Sequence, residues 1–265
     1  MAARLRLIYI ASPGHSGSTL LDLLLNAHSK IVSGGELKRF QPFIGDLKRR
    51  CTCGITPILA CPFWAAVAAE LEARRLAPAT IRTDGADQGA VDENVVLLQA
   101  IAKVGGADIL VDSSKTLRRL KLLMESPDID VLPVILIRDP RGQIWSRIRK
   151  GHHFGTALRE YRSIYRDLAK SLKDRPQLWV RYEDLATDPK RTLARILALV
   201  GEQFEPGQLD WAQSGKHNIN GNRMRFSTDS AIVRDESWRG NLTLRQRIAI
   251  RLRARRVWAA RPAAG

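Results

Sequence analysis

The N-terminal stretch reads Leu5-Arg-Leu-Ile-Tyr-Ile-Ala11, then Ser12-Pro-Gly-His-Ser-Gly-Ser-Thr19, then Leu20-Leu-Asp-Leu-Leu-Leu25. A short apolar run passes through a turn of small residues into a leucine-rich segment, which predicts a strand, a loop and a helix in succession. The loop is therefore delivered to a helix N-terminus. Backbone N–H groups of Gly14, His15, Ser16, Gly17, Ser18 and Thr19 would face inward there. The positive end of the helix dipole lies behind them and the Ser18 and Thr19 hydroxyls stand beside them. Such a loop suits a phosphate, and its glycines let the anion approach closely. It is not a Walker A loop, because GxxxxGK[ST] places lysine where Gly17 stands, and this disfavours an ordinary P-loop kinase. Taken alone, the loop could equally be a simple strand-to-helix connection.

Working outward, further strands are predicted at Asp108–Val111, Val131–Ile137 and Gln177–Val180, with a short one at Ile31–Ser33. Helices are predicted at Ser18–Ala27, Lys115–Met124, Pro140–Lys150, Thr156–Lys173 and Pro189–Val200. This alternation defines an α/β fold: a three-layer sandwich with a central, mostly parallel sheet, P-loop-like in its first βα unit. The alternation lapses at about residues 51–106, where two helices, Phe63–Leu76 and Val91–Val104, read as a helical insertion. A loop-rich segment from Gly201 to Gly240 then leads into an arginine-dense helix at about 243–258. With 265 residues, and a prior of roughly 150 per domain, the whole chain is expected to form one domain.

Two more predicted strands end in groups that suit an anion. Val111 runs into Asp112-Ser-Ser-Lys115, and Ile137 runs into Arg138-Asp-Pro-Arg141. Open α/β sheets bind ligands at such carboxyl ends. Pro140 suits a first helical turn, and Ser146 follows Arg138 at a spacing of about two helical turns. Arginine and serine together could clamp a second phosphate. The alternative for Arg138 is a salt bridge to Asp139 or Glu183.

Hydrophobic residues at 45% and charged residues at 26% exclude disordered and fibrous classes. The net charge of +16 points to an anionic partner. No apolar run approaches the roughly 20 residues of a membrane-spanning helix. The N-terminus also lacks the apolar region and cleavage site of a secretory signal, so cytoplasmic residence is expected. Cys51, Cys53 and Cys61 are too clustered for a chain-wide disulfide framework. They offer three ligands at a spacing unlike the usual zinc pairs, and no metal is expected. Arg138–Arg175 holds eleven lysines and arginines against four acids. That excess is either a solvated helical face or a field that speeds an anion's arrival. In the last helix Leu244, Ile248 and Leu252 form a stripe predicted to pack on the body with the arginines outward. No nucleic-acid motif is present, and nucleic acid is not an expected partner.

In order and spacing, these motifs resemble sulfotransferases that use 3′-phosphoadenosine 5′-phosphosulfate (PAPS). The residues concerned are the loop Ser12–Thr19, Arg138 with Ser146, and Arg181-Tyr-Glu-Asp-Leu185. The resemblance implies that the loop holds the 5′-phosphosulfate and that Arg138 and Ser146 hold the 3′-phosphate. His217–Phe226, with Gly221-Asn-Arg-Met-Arg225, resembles the nucleotide-covering loop of the bacterial and tyrosylprotein-type branches, implying contacts from Asn222, Arg223 and Arg225. Cytosolic aryl and steroid members place lysine where His15 stands, and their catalytic histidine motif is absent. The tyrosylprotein-type branch uses a glutamate after a glycine as base, which Gly35-Glu36 matches, and a lysine that Lys115 matches. The implied catalytic residues are therefore Glu36, Lys115 and His15. The implied reaction carries a sulfuryl group to a hydroxyl of a small-molecule acceptor, with no metal. Two rivals remain at this point: a phosphotransferase that uses Asp112 to hold magnesium, and a non-enzymatic module that binds nucleic acid or another anion.

Overall fold

Strand pairing is parallel throughout a five-stranded sheet, and the first strand lies at its centre. The computed structural model describes residues 4–259. In chain order the elements are β1 (Leu5–Ala11), α1 (Ser18–Asn26), β2 (Ile31–Gly35), α2 (Phe40–Ile44), α3 (Pro62–Ala73), α4 (Gln88–Gly105), β3 (Ile109–Lys115), α5 (Leu117–Met124), β4 (Ile129–Ile137), α6 (Pro140–Ile148), α7 (Phe154–Ser171), β5 (Leu178–Arg181), α8 (Tyr182–Thr187), α9 (Pro189–Ala198), α10 (Trp238–Asn241) and α11 (Leu244–Ala259). The sheet order is β2-β3-β1-β4-β5. The α/β architecture expected from the sequence is thus the one observed. Among the described residues no helix is long and apolar enough to cross a membrane.

Successive side chains of a strand face opposite ways, so a strand covered on both sides must be apolar on both. β1 meets that demand. Leu7, Tyr9 and Ala11 join one core with residues of α3, α4, α6 and α7, while Ile8 and Ile10 join another with α1, α8 and α9. Crossovers between parallel strands are right-handed. The connection from β1 to β2 runs one way along the sheet and puts α1 on one face. The connection from β3 to β4 runs the other way and puts α5 on the opposite face. The chain therefore parts above the carboxyl end of β1 and leaves a crevice there.

Both helices expected at residues 51–106 are present. The second, α4, also serves as the crossover between β2 and β3, burying Leu97, Leu98 and Ile101 beside Leu110 of the sheet. β3 continues past Val111 to Lys115, because Asp112 pairs with Tyr9 and Lys115 with Ala11 across a bulge. Polar residues in that strand give no apolar signal to read.

α11 packs on the body by a different face from the one expected. Leu244, Ile248 and Leu252 are 72%, 50% and 76% exposed, whereas Ile250 and Ala254 are buried in the core. A four-residue spacing occurs on more than one face of this helix, and the smaller Ala254 lets the other face approach the body.

Arg119 and Asp112 are wholly buried and bonded, Nε donating to Oδ2 at 2.7 Å. Arg119 also donates to Asn94 Oδ1 at 2.6 Å and to the Thr83 carbonyl, so one side chain ties α5 to β3, α4 and the turn before α4. Removing one partner of a buried pair strands the other charge. Arg119→Leu should cost about 3–5 kcal/mol of stability, read by urea unfolding, and Asp112→Asn combined with Arg119→Leu should recover part of that loss.

Candidate active site

The crevice above β1 is a cleft of about 650 Å³ lined by Gly14, His15, Gly17, Ser18, Thr19, Glu36, Lys115, Arg138, Ser146, Asn222 and Arg223, among others. It brings together almost every residue expected at the site. Two expected residues are not there. The Ser16 side chain is buried beneath the loop, where it donates to the Pro13 carbonyl at 2.9 Å and lies 3.2 Å from the Tyr165 hydroxyl. Arg225 is buried too, its guanidinium donating to the carbonyls of Asn218 at 2.9 Å and Arg50 at 3.2 Å. Both support the walls of the cleft rather than line it.

The loop is shaped for an anion. Gly17 is the N-cap of α1 and provides no side-chain cap, so the first-turn N–H groups of the helix lack intrahelical partners. Its φ of 94° suits glycine, and a Cβ there would stand 2.4 Å from Cδ2 of Tyr182. Gln143 Nε2 donates to the Gly14 carbonyl at 2.7 Å and Arg138 Nη1 to the His15 carbonyl at 3.2 Å, which turns those oxygens away from an incoming anion.

Arg138 lies over the Tyr182 ring, its guanidinium carbon 4.5 Å from the centroid. Its ionic partner is neither Asp139 nor Glu183. Arg138 Nη2 meets Asp235 Oδ2 at 3.0 Å, and Arg149 meets the same oxygen at 3.3 Å. Hydrogen bonds from Ser237 and the charge of Arg138 hold the Asp235 carboxyl at about 2, against the opposing effect of burial. Ser146 Oγ lies 3.2 Å from His15 Nδ1.

Glu36 follows Gly35, whose φ of 78° and contact with Ile219 exclude a side chain: a Cβ would stand 2.4 Å from the Ile219 carbonyl oxygen. The Glu36 N–H donates to that same carbonyl at 3.0 Å. The buried Glu36 carboxylate accepts from Lys115 Nζ through Oε1 and from Asn220 Nδ2 at 2.9 Å through Oε2. Beyond Asn220, the Asn222 N–H donates to Thr19 Oγ1 at 3.1 Å, closing the segment over the loop. Beneath it, buried Asp22 of α1 accepts from Ser33, from Ser113 at 3.1 Å and from Asn218 at 3.0 Å. Burial raises the Asp22 carboxyl to about 7 despite these bonds.

Sequence reasoning did not find Gln143, Asn220, Asp235 or Tyr182 as contributors to the site. Two of them had a signal: Tyr182 lies in the Arg181–Leu185 motif and Asn220 in the His217–Phe226 segment. Asp112, proposed above as a possible magnesium ligand, is wholly buried and bound to Arg119, away from the cleft.

Comparison with known proteins gives the chain a family and its fold known counterparts. The chain belongs to the sulfotransferase family, whose sequence profile matches residues 8–206. It is 26% identical over 153 residues to carbohydrate sulfotransferase 1 of Danio rerio; the match takes in 47% of this chain and only 36% of that protein. The fold resembles the sulfotransferase domain from the curacin biosynthetic pathway, with a TM-score of 0.56 at 18% identity over 95% of this chain and 98% of the other. It also resembles the sulfotransferase domain of the Synechococcus PCC 7002 olefin synthase, with a TM-score of 0.50 at 21% identity over 100% and 91% of the two chains.

Burial, together with the charges of Arg147, Lys115, His152 and Lys150, lowers the His15 imidazole to about 4. An unfolded histidine titrates near 6.5. The unfolded chain therefore takes up a proton that folded His15 refuses, and stability falls as the pH drops from about 6.5 toward 4. The expected observation by NMR is a His15 titration midpoint near pH 4, moving upward when phosphate is bound in the cleft.

Proposed function

We propose that this chain transfers a sulfuryl group from PAPS to a hydroxyl of a small-molecule acceptor, releasing adenosine 3′,5′-bisphosphate and a sulfate ester. The observation that carries this reading is that one cleft holds both the uncapped start of α1 and the Arg138–Ser146 pair. A ligand anionic at both ends suits such a cleft, whose volume lies in the range that accepts nucleotide-sized molecules. The residues fit that donor. Arg138 and Arg149 already grip an anionic group, the Asp235 carboxylate, and Arg138 Nε is buried without a hydrogen-bond partner among the described residues.

In this reading the loop N–H groups with Ser18 and Thr19 hold the 5′ end, while Arg138 and Ser146 hold the 3′-phosphate. Asn222 and Arg223 cover the nucleotide. Bound there, the donor presents a sulfuryl group on a phosphate leaving group. Glu36 accepts the proton of the acceptor hydroxyl as the bond from its oxygen to sulfur forms and the bond from sulfur to the phosphate oxygen breaks. Lys115 stabilises the charge that gathers on that phosphate oxygen, and the Glu36 proton then passes to solvent. His15, uncharged at neutral pH in the free protein, contributes a hydrogen bond to the phosphates. Catalysis rests on positioning and electrostatics, as in loose phosphoryl transfer. In the free protein Lys115 and Glu36 neutralise each other, so donor binding must draw the lysine toward phosphate before the carboxylate can serve as base. The magnesium-dependent rival loses its support with Asp112 committed to Arg119.

Calorimetric titration tests the clamp. Adenosine 3′,5′-bisphosphate should bind, and AMP should bind more weakly by the roughly 1.5–3 kcal/mol of a charged hydrogen bond. Arg138→Ala and Ser146→Ala should erase that difference; equal binding of AMP by the unaltered chain would sink the clamp.

Glu36→Gln tests the base. With PAPS and a panel of hydroxylated acceptors, followed by the mass gain of one sulfo group, turnover should fall about 10²–10⁴-fold while affinity for adenosine 3′,5′-bisphosphate is kept. Unchanged turnover would remove Glu36 from its role.

A further inference from the structure

Three cysteines remain outside the reaction just described, and the fold adds a fourth group to them. His217, which lies 156 residues beyond Cys61, brings its Nδ1 to 3.2 Å from Cys61 Sγ and 3.7 Å from Cys51 Sγ. Cys53 Sγ lies 3.6 Å from Cys61 Sγ, and the four ligand atoms all fall within 4.8 Å of one another. A tetrahedral zinc ion, with bonds near 2.3 Å to sulfur and about 2.0 Å to nitrogen, requires separations of about 3.8 Å between sulfurs and about 3.5 Å from sulfur to nitrogen. The observed spacings straddle those values.

We propose that Cys51, Cys53, Cys61 and His217 form a closed, structural zinc site that fastens residues 51–64 to the segment covering the cleft. Three thiolates and one imidazole make a soft donor set that selects zinc over magnesium or calcium. With four protein ligands there is no open position for substrate, so the role is structural. Binding releases three thiol protons and leaves the imidazole proton on Nε2.

The surroundings are built for such a cluster. The Gly54 N–H donates to the Cys51 carbonyl at 2.9 Å, folding Cys51-Thr-Cys53-Gly54 into a turn that brings both sulfurs to one side. Cys61 is the N-cap of α3, where a helix dipole favours thiolate. Phe63 stacks on the His217 ring with centroids 4.8 Å apart and planes 4° from parallel, and Trp64 Nε1 donates to the His217 carbonyl at 2.5 Å. Three thiolates with Zn²⁺ carry a net charge of −1. Arg225, bonded to the carbonyls of Asn218 and Arg50 on either side of the cluster, supplies a buried positive charge. That accounts for an arginine expected at the nucleotide and found elsewhere. From His217 the chain runs directly to Asn218, which donates to Asp22, to Ile219, which is bonded through its backbone to Gly34 and Glu36 on either side of Gly35, and to Asn220, which donates to Glu36. The metal would therefore act as a positioning device for the base, without touching substrate.

The test uses the full chain without a histidine tag, isolated under reducing conditions and without chelator. Elemental analysis should find one zinc per chain. After removal of zinc, cobalt chloride should give the visible bands of tetrahedral cobalt and a thiolate-to-cobalt charge-transfer band. His217→Ala and Cys53→Ser should each weaken cobalt binding by more than the roughly 10–100-fold that loss of an outer partner costs. The proposal is overturned if the chain holds no zinc and takes up no cobalt, or if both variants keep the full cobalt spectrum. None of these readouts needs nucleotide or acceptor, so zinc binding without recognition of a 3′-phosphate would fault only the proposed sulfuryl transfer.

Discussion

Parallel pairing of β1 with both β3 and β4 is the constraint on which the cleft depends. Right-handed connections cannot place α1 and α5 on the same face when the chain moves in opposite directions along the sheet. The loop after β1 is consequently left uncovered at the centre of the sheet, with the polar end of β3 on one side and Arg138 at the end of β4 on the other. Nothing at the site needs a special fold beyond this. An uncapped helix start, a lysine and an arginine converge because three neighbouring strands end there.

Much of this was legible because it is local. The run from Leu5 to Leu25 carries its strand, loop and helix within one short window, and Arg138, Pro140 and Ser146 lie within the single unit that passes from the end of β4 into α6. Fold class and most of the cleft lining follow from such windows. The parts that escaped are those that meet across distance. Asn220 reaches Glu36 from 184 residues away, Gln143 reaches Gly14 from 129, and Asp235 reaches Arg138 from 97. No spacing rule joins such pairs, and the residue types are common on surfaces. His217 escaped for the same reason, which left the cysteines one ligand short. α11 differs from expectation for another reason: its exposed stripe and its buried one are both apolar, and periodicity alone does not say which faces the protein.

The charge of +16 is not a bare positive field at the cleft. Arg138 and Arg149 share Asp235, and Lys115 is bound to Glu36, so two carboxylates offset most of the charge of these three cations before any ligand arrives. An entering polyanion exchanges one ionic partner for another, which limits the net gain in affinity but leaves each cation already oriented.

The ring of Tyr182 lies beneath both ends of this arrangement. One edge packs against Gly17, its face carries Arg138, and its hydroxyl accepts the Asp235 N–H at 3.3 Å. A single rigid tile thus underlies the two anchoring points, and tilting it would disturb both together. In the proposed reading, a substitution that shifts this ring would loosen the loop grip and the Arg138 grip on the nucleotide at once.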